Sequence, residues 1–223
     1  MNEFEWEKSL KESDALAEKY AAALEKFKDQ PDADRLVAKE MGWSWMEEAL
    51  EAHGLDDEAI DEEEFNVLPP PEPDPLKEGV DWIREEDGSI CHPLTAKAFE
   101  NTMSLWHYCE ERRLLGEGRD QDLHEMLFEA QLLGAKLAGA LDHLGYASGV
   151  VEGGFVVACL KRALLFFDKA IAASLKVRAK KLLDDERLEQ FRTALFAIRE
   201  DMLHLMKRFR DRPDQDPGTE AAG

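Results

Sequence analysis

Cysteine is scarce in this chain. Three cysteines in 223 residues, Cys91, Cys109 and Cys159, are widely spaced, odd in number and without a Cys-x-x-Cys pair. That excludes the disulfide framework of a small secreted fold. Cations are also short, with 28 Lys and Arg against 49 Asp and Glu and a net charge of −21. The deficit argues against a sequence-independent DNA or RNA binder, whose affinity comes from neutralising phosphates, and against an anionic membrane surface. The opening residues Met1-Asn2-Glu3-Phe4-Glu5 lack the basic region and apolar core of a signal peptide. No long apolar run is free of charge. The most apolar window, Phe155 to Leu175, carries Lys161, Arg162, Asp168 and Lys169, each costing roughly 2.5–3.5 kcal/mol at a bilayer centre. It therefore reads as a buried protein helix. These absences predict a reduced, cytoplasmic chain with no membrane partner. No repeat of solenoid length is visible either.

Several catalytic signatures are missing too. Ser148 lies in Tyr-Ala-Ser-Gly rather than Gly-x-Ser-x-Gly and follows no strand. The glycine-rich stretch Gly145 to Gly154 lacks both a preceding strand and a Lys-Ser/Thr ending, which disfavours phosphate cradling. The acidic stretches contain no Asp-x-Asp-x-Asp-Gly calcium loop. Cys109 and Cys159 fall on apolar helix faces, where cysteine serves as a small core residue.

What is present suffices for a core: 44% of residues are apolar, which excludes wholesale disorder. The charge is divided unevenly. Residues 1–90 hold 28 acidic and 9 basic residues, a net of −19, whereas residues 91–223 hold 21 and 19, a net of −2. Such asymmetry marks two regions with different roles.

The hydrophobic spacing predicts an acidic helical arm over residues 1–65. Trp6, Leu10, Ala17, Leu24 and Phe27 recur at helical intervals until Gln30-Pro31. A second helix spans Ala33 to Met41 before Gly42. A third begins at Ser44-Trp45-Met46-Glu47, which has the form of a capping box, and ends near Gly54. The proline run Leu68 to Pro75 reads as extended polyproline chain within a linker, residues 66–79. Residues 80–92 form a β-hairpin, with Asp87-Gly88 between two short apolar runs.

Residues 93–212 carry four long helical patterns, about 93–115, 120–144, 155–183 and 185–211, followed by a disordered tail over residues 213–223. In the last helix Leu188, Phe191, Leu195, Ile198, Met202, Leu205 and Phe209 make an unbroken heptad seam. In the second, Ala130, Gly134 and Ala138 form a small-residue stripe that would let a neighbouring helix approach closely. The third is apolar nearly all round and so the most buried. Long helices with short loops predict an all-α protein, an antiparallel four-helix bundle with an acidic helical arm and a hairpin before it.

These helices carry residues for three candidate chemistries. A carboxylate–histidine metal site would draw on His107 and Glu110 and on Asp201 and His204. Heptad register puts Asp201 and His204 on the solvent flank, and Glu125 and Glu129 off the Leu/Ala seam. Second, Arg199-Glu200-Asp201-Met202-Leu203-His204 resembles the Arg-x4-His motif of the HEPN family of helical-bundle RNases. The resemblance covers six residues and implies Arg199 and His204 as a catalytic pair. Helical geometry points the two side chains about 140° apart. Third, the basic residues Lys176, Arg178, Lys180, Lys181 and Arg187, with Lys207, Arg208, Arg210 and Arg212, cluster at helix ends. Cations suit helix C-termini, and these read as solvated ends rather than a nucleic-acid patch.

No constellation meets both its motif and its geometry, so no cofactor is expected. The sequence favours a non-enzymatic interaction or scaffolding protein, with a protein partner or self-association, including a homodimer. Trp43, Trp45 and Met46 in the arm are the candidate partner-binding residues, since aromatic residues and Met are enriched at interface cores. The arm is also expected to fold back on the bundle or on a second copy of it, helped by its charge opposing the basic ends of the last two helices.

Overall fold

The computed structural model describes residues 1–53, 72–116, 118–146 and 152–211. The acidic run 56–64, Leu68 to Pro71, Ser148, Arg212 and the tail 213–223 lie outside the described residues. Among those described there are seven α-helices and one two-stranded antiparallel sheet, so the chain is all-α in class. No described helix is long and apolar enough to cross a membrane. The chain divides into two compact units, Lys8–Pro70 and Met1–Glu7 with Pro71–Gly223. The boundary thus falls inside the first helix, α1 (Glu3–Phe27).

In the Lys8–Pro70 unit the remainder of α1 packs with α2 (Ala33–Met41), and α2 with α3 (Ser44–His53). Gly42 ends α2 in the left-handed conformation at φ 74°, which glycine adopts without a Cβ penalty. Ala23, Val37 and Met41 form the small core, with Phe27 and Trp43 against it. The apolar face predicted for α1 is mostly solvated here, because Leu24 is exposed and only Ala23 is buried.

The larger unit is built on α4 (Pro93–Glu111), α5 (Gln121–Leu141), α6 (Gly153–Lys180) and α7 (Asp185–Arg210). Their starts follow capping chemistry. His92 caps α4 ahead of Pro93, and the Asp120 carboxylate accepts from the Asp122 and Leu123 amides at α5. Helices α4 and α5 end earlier than their periodicity predicts, at Glu111 and Leu141, the latter passing into a 3-10 turn over Asp142–Gly145.

The neighbouring pairs are α4–α5, α5–α6, α6–α7 and α4–α7. Polar contacts fix their directions. Along α4, Lys97 meets Asp201 at 2.7 Å, Ser104 accepts from Arg187 at 2.6 Å, and Tyr108 donates to Asp184 at 2.5 Å. The α7 numbers fall as the α4 numbers rise, so that pair is antiparallel. Lys180–Asp120, Lys176–Glu125 and Lys169–Glu129 set the same sense for α5 and α6. Arg178 with Glu189 and the Phe167–Phe196 ring pair, 5.4 Å between centroids, do so for α6 and α7.

Three details refine the sequence expectation. The α7 seam is Leu188, Phe191, Leu195, Ile198, Met202, Met206 and Phe209, with Met206 buried in place of Leu205. A straight helix drifts about 20° per heptad against a strict seven-residue repeat, so by the third heptad the buried face lies nearer Met206 than Leu205. Glu129, read from the sequence only as off the Leu/Ala seam, is not solvent-facing. It is buried between α5 and α6, with one carboxylate oxygen 3.6 Å from Lys169 and the other unpartnered. Finally, the described part of the proline segment is extended only as far as Asp74 and is tied to the helical unit. Asp74 caps a 3-10 turn over Pro75–Lys77, the Asp74 amide donates to Gly145 at 2.8 Å, and the Lys77 ammonium donates to the Leu144 and Tyr146 carbonyls.

The hairpin pairs β1 (Ile83–Arg84) with β2 (Ile90–Cys91), Ile83 opposite Cys91, and Gly88 turns it at φ 88°. Trp82 at its root is buried, its indole N–H donating to the Asp74 carbonyl at 2.8 Å, and Gly145 lets the ring lie against the backbone. Residues Met1–Glu7 seat on α6 and α7. Glu3 accepts from Lys161 and Arg210, Glu7 from Lys161, and Trp6 meets Phe155 edge-on. Gly154 permits this, because a Cβ there would stand 2.9 Å from the Met1 carbonyl oxygen.

Candidate functional site

The residues put forward from the sequence do not converge. Arg199 is paired with the adjacent Glu200 at 2.7 Å, while His204 is exposed further along α7. His107 and Glu110 are exposed on α4, 3.6 Å apart. Asp201 binds Lys97, ten residues before His107, so the two halves of the postulated metal set stand about 15 Å apart along the axis at 1.5 Å per residue. Among the described residues no group of three or more His, Cys, Asp or Glu is placed to hold a metal ion.

The basic helix ends are largely consumed within the unit. Lys176 and Lys180 bind Asp120, Asp122 and Glu125, Arg208 grips Asp81 through two contacts at 2.8 and 3.2 Å, and Arg210 holds Glu3. The pairing pushes the Lys176 and Lys180 ammonium groups above their ordinary pKa and the Asp120 and Asp122 carboxyls below theirs. Of the arm residues, Trp43 lies against the small core and 5.5 Å from the Tyr20 ring, Met46 is half-buried, and Trp45 remains 67% exposed.

One concavity stands out, between α4, α5 and the tip of the hairpin. It measures about 810 Å³, within the roughly 300–1,000 Å³ range of sites that take small ligands or side-chain anchors. Its floor comes from small residues four apart: Ala130, Gly134 and Ala138 on α5, facing Ala98 and Thr102 on α4. The stripe was expected to bring a second helix close. Instead a Cβ at Gly134 would meet nothing within 4 Å, so the missing side chains leave open space. Phe99 and Met103, one helical turn apart, form one wall, and Phe99 is 65% exposed. The Thr102 hydroxyl turns back to the Ala98 carbonyl at 3.0 Å and adds no reactive group.

The other wall is the hairpin turn, which brings Glu85, Glu86, Asp87, Ser89 and Cys91 to the groove. The Cys91 thiol donates to Glu85 at 3.0 Å. Burial, reinforced by that carboxylate, pushes its pKa up to about 12, so it stays a protonated thiol rather than a nucleophile. Ser89 donates to Asp87 through its hydroxyl and its amide, and these bonds hold the Asp87 carboxyl below the usual range. Among the described residues, every charged side chain lining the groove is acidic, and no group of three or more His, Cys, Asp or Glu is placed there to hold a metal ion.

The groove was not visible in the sequence because it needs two separate facts together. The small stripe on α5 was legible, but its consequence depended on where the hairpin turn packs. Compared with known proteins, the chain matches no family model, no curated protein and no solved structure.

Proposed function

We propose that this chain is a non-enzymatic interaction or scaffolding protein whose helices α4–α7 form an antiparallel four-helix bundle, working in the cytoplasm. The ring of antiparallel neighbours supports the bundle reading. The observation that carries the function is the groove, an apolar floor walled by an exposed phenylalanine and an acidic turn and holding no reactive group. A partner segment, or a second copy of this chain, docks there. Trp45, exposed on the arm, is a second anchor for the same or another partner.

The test is site-specific photo-crosslinking in cells, with the probe at Phe99 in the groove and at Leu175, an exposed residue of α6, as control. The reading expects a discrete adduct from Phe99 alone, reduced when Gly134→Leu fills the floor. Equal adducts from both positions would refute it. So would RNA cleavage abolished by His204→Ala, or stoichiometric metal lost on replacing Asp201.

A further inference from the structure

We infer that the occupant of the groove is a short amphipathic helix carrying Lys or Arg beside its apolar residues. The inference rests on reading the groove as a partner site and adds the chemistry of what fills it. The floor from Ala130 to Ala138 covers eight residues of α5, about 12 Å at 1.5 Å per residue. That length matches two turns of a docked helix, enough for apolar side chains at i, i+3 or i+4, and i+7. The small floor residues leave room for side chains to enter from above, with Phe99 and Met103 to pack against them.

Charge decides the sign of the partner. Glu85, Glu86 and Asp87 stand along one side, all exposed, and none is ion-paired with a described residue. Several other acids of this unit are ion-paired: Asp120, Asp122 and Glu125 with lysines, Asp81 with Arg208, Glu3 with Lys161 and Arg210. A row of unmatched carboxylates beside an apolar trough complements a cationic edge next to an apolar face, and repels an acidic segment. The chain's own acidic N-terminal region, net −19 over residues 1–90, is the wrong sign to fill it.

Because the whole chain is acidic, weak attraction to any cationic peptide is expected, and the experiment has to separate that from docking. Two helical peptides of about fourteen residues, four turns, share one leucine face and differ in carrying lysine or glutamate beside it. Their binding to the full-length protein is followed by fluorescence anisotropy. Gly134→Leu leaves the charge unaltered and fills the floor, with circular dichroism and thermal melting to verify the fold. Phe99→Ala, at a residue already exposed, serves as a second floor-and-wall variant. The pair Glu86→Lys and Asp87→Lys reverses the acidic edge.

The expected result is a lysine peptide bound at least tenfold more tightly than the glutamate peptide. Its affinity should fall at least tenfold in Gly134→Leu or Phe99→Ala, and by a similar factor in the charge-reversed protein. Equal binding of both peptides, with loss in the filled variant, would overturn the cationic partner and leave the groove as a binding site. Lysine-peptide affinity indifferent to both groove variants would overturn the groove itself. One-to-one binding of a quaternary alkylammonium without peptide binding would replace the helix by a small cationic ligand and overturn the inference.

Discussion

His92 ties the hairpin, α4 and the end of α5 together, and its chemistry makes stability depend on pH in a calculable way. The residue is 4% exposed. Its Nδ1 accepts from the Leu94 amide at 3.1 Å, capping α4, and its backbone amide donates to Asp142 at 3.0 Å. An acceptor Nδ1 puts the single proton on Nε2, which is buried without a partner. Charging the ring would set an Nδ1–H against the Leu94 N–H and place a cation in a buried site. Burial, with a smaller contribution from Arg208, outweighs the attraction of Asp81 and lowers the His92 pKa from 6.5 to about 4. The folded state thus prefers the neutral ring, while the unfolded chain takes up the proton first. His92 therefore contributes fully above pH 6.5, its contribution is lost as pH falls toward 4, and below that it changes no further. At pH 4.5 the loss is about 2–3 kcal/mol, from roughly 1.4 kcal/mol per pH unit less the part the folded ring recovers by protonating.

The comparison is urea unfolding at pH 7.5 and 4.5 for the native chain and for His92→Asn, which retains a short capping group but does not titrate. The variant is less stable at neutral pH because a buried ring is gone, so the readout is the change with pH. Burial also lowers the His143 pKa and raises that of Asp142, and both contributions are common to the two proteins. Stability curves that run parallel between the two pH values would refute the account. So would an imidazole resonance of His92 titrating near pH 6 or above.

Other substitutions test the packing. Gly134→Ala should raise stability by about 0.5–1 kcal/mol, since its Cβ meets open space and the helix gains a better former. This is read as a higher melting temperature. Gly145→Ala should do the reverse, losing about 1–3 kcal/mol in urea unfolding, because its Cβ would stand 2.9 Å from the Trp82 side chain. Arg208→Met leaves the buried Asp81 carboxylate without its ion-pair partner and should cost about 2–4 kcal/mol at pH 7, read by urea unfolding. Lys181, the left-handed C-cap of α6 at φ 55°, should gain about 1 kcal/mol on replacement by glycine, measured in the same way.

The pattern of what was readable follows from the range of each interaction. Local signals carried well: Pro93 after His92 starts α4, Gly42 ends α2, and Asp87-Gly88 turns the hairpin, because caps and turns are decided by residues next to one another. The α7 seam was legible until helical drift accumulated, and it went astray at Leu205 and Met206 near its end. Long-range matters were not legible. Gly145 and Gly154 read as parts of one glycine-rich loop, yet each marks a close approach to another segment, Trp82 in one case and Met1 to Glu3 in the other. The same holds for Gly134, where the absent side chain makes a vacancy instead of a contact. A glycine or alanine reports only that volume is missing. What occupies the volume depends on an element far away in the chain, as Trp82 does for Gly145. Under the proposed reading of the groove, the acidic hairpin tip, whose Glu85, Glu86 and Asp87 form no ion pair with a described residue, supplies the charge that a cationic partner would complement.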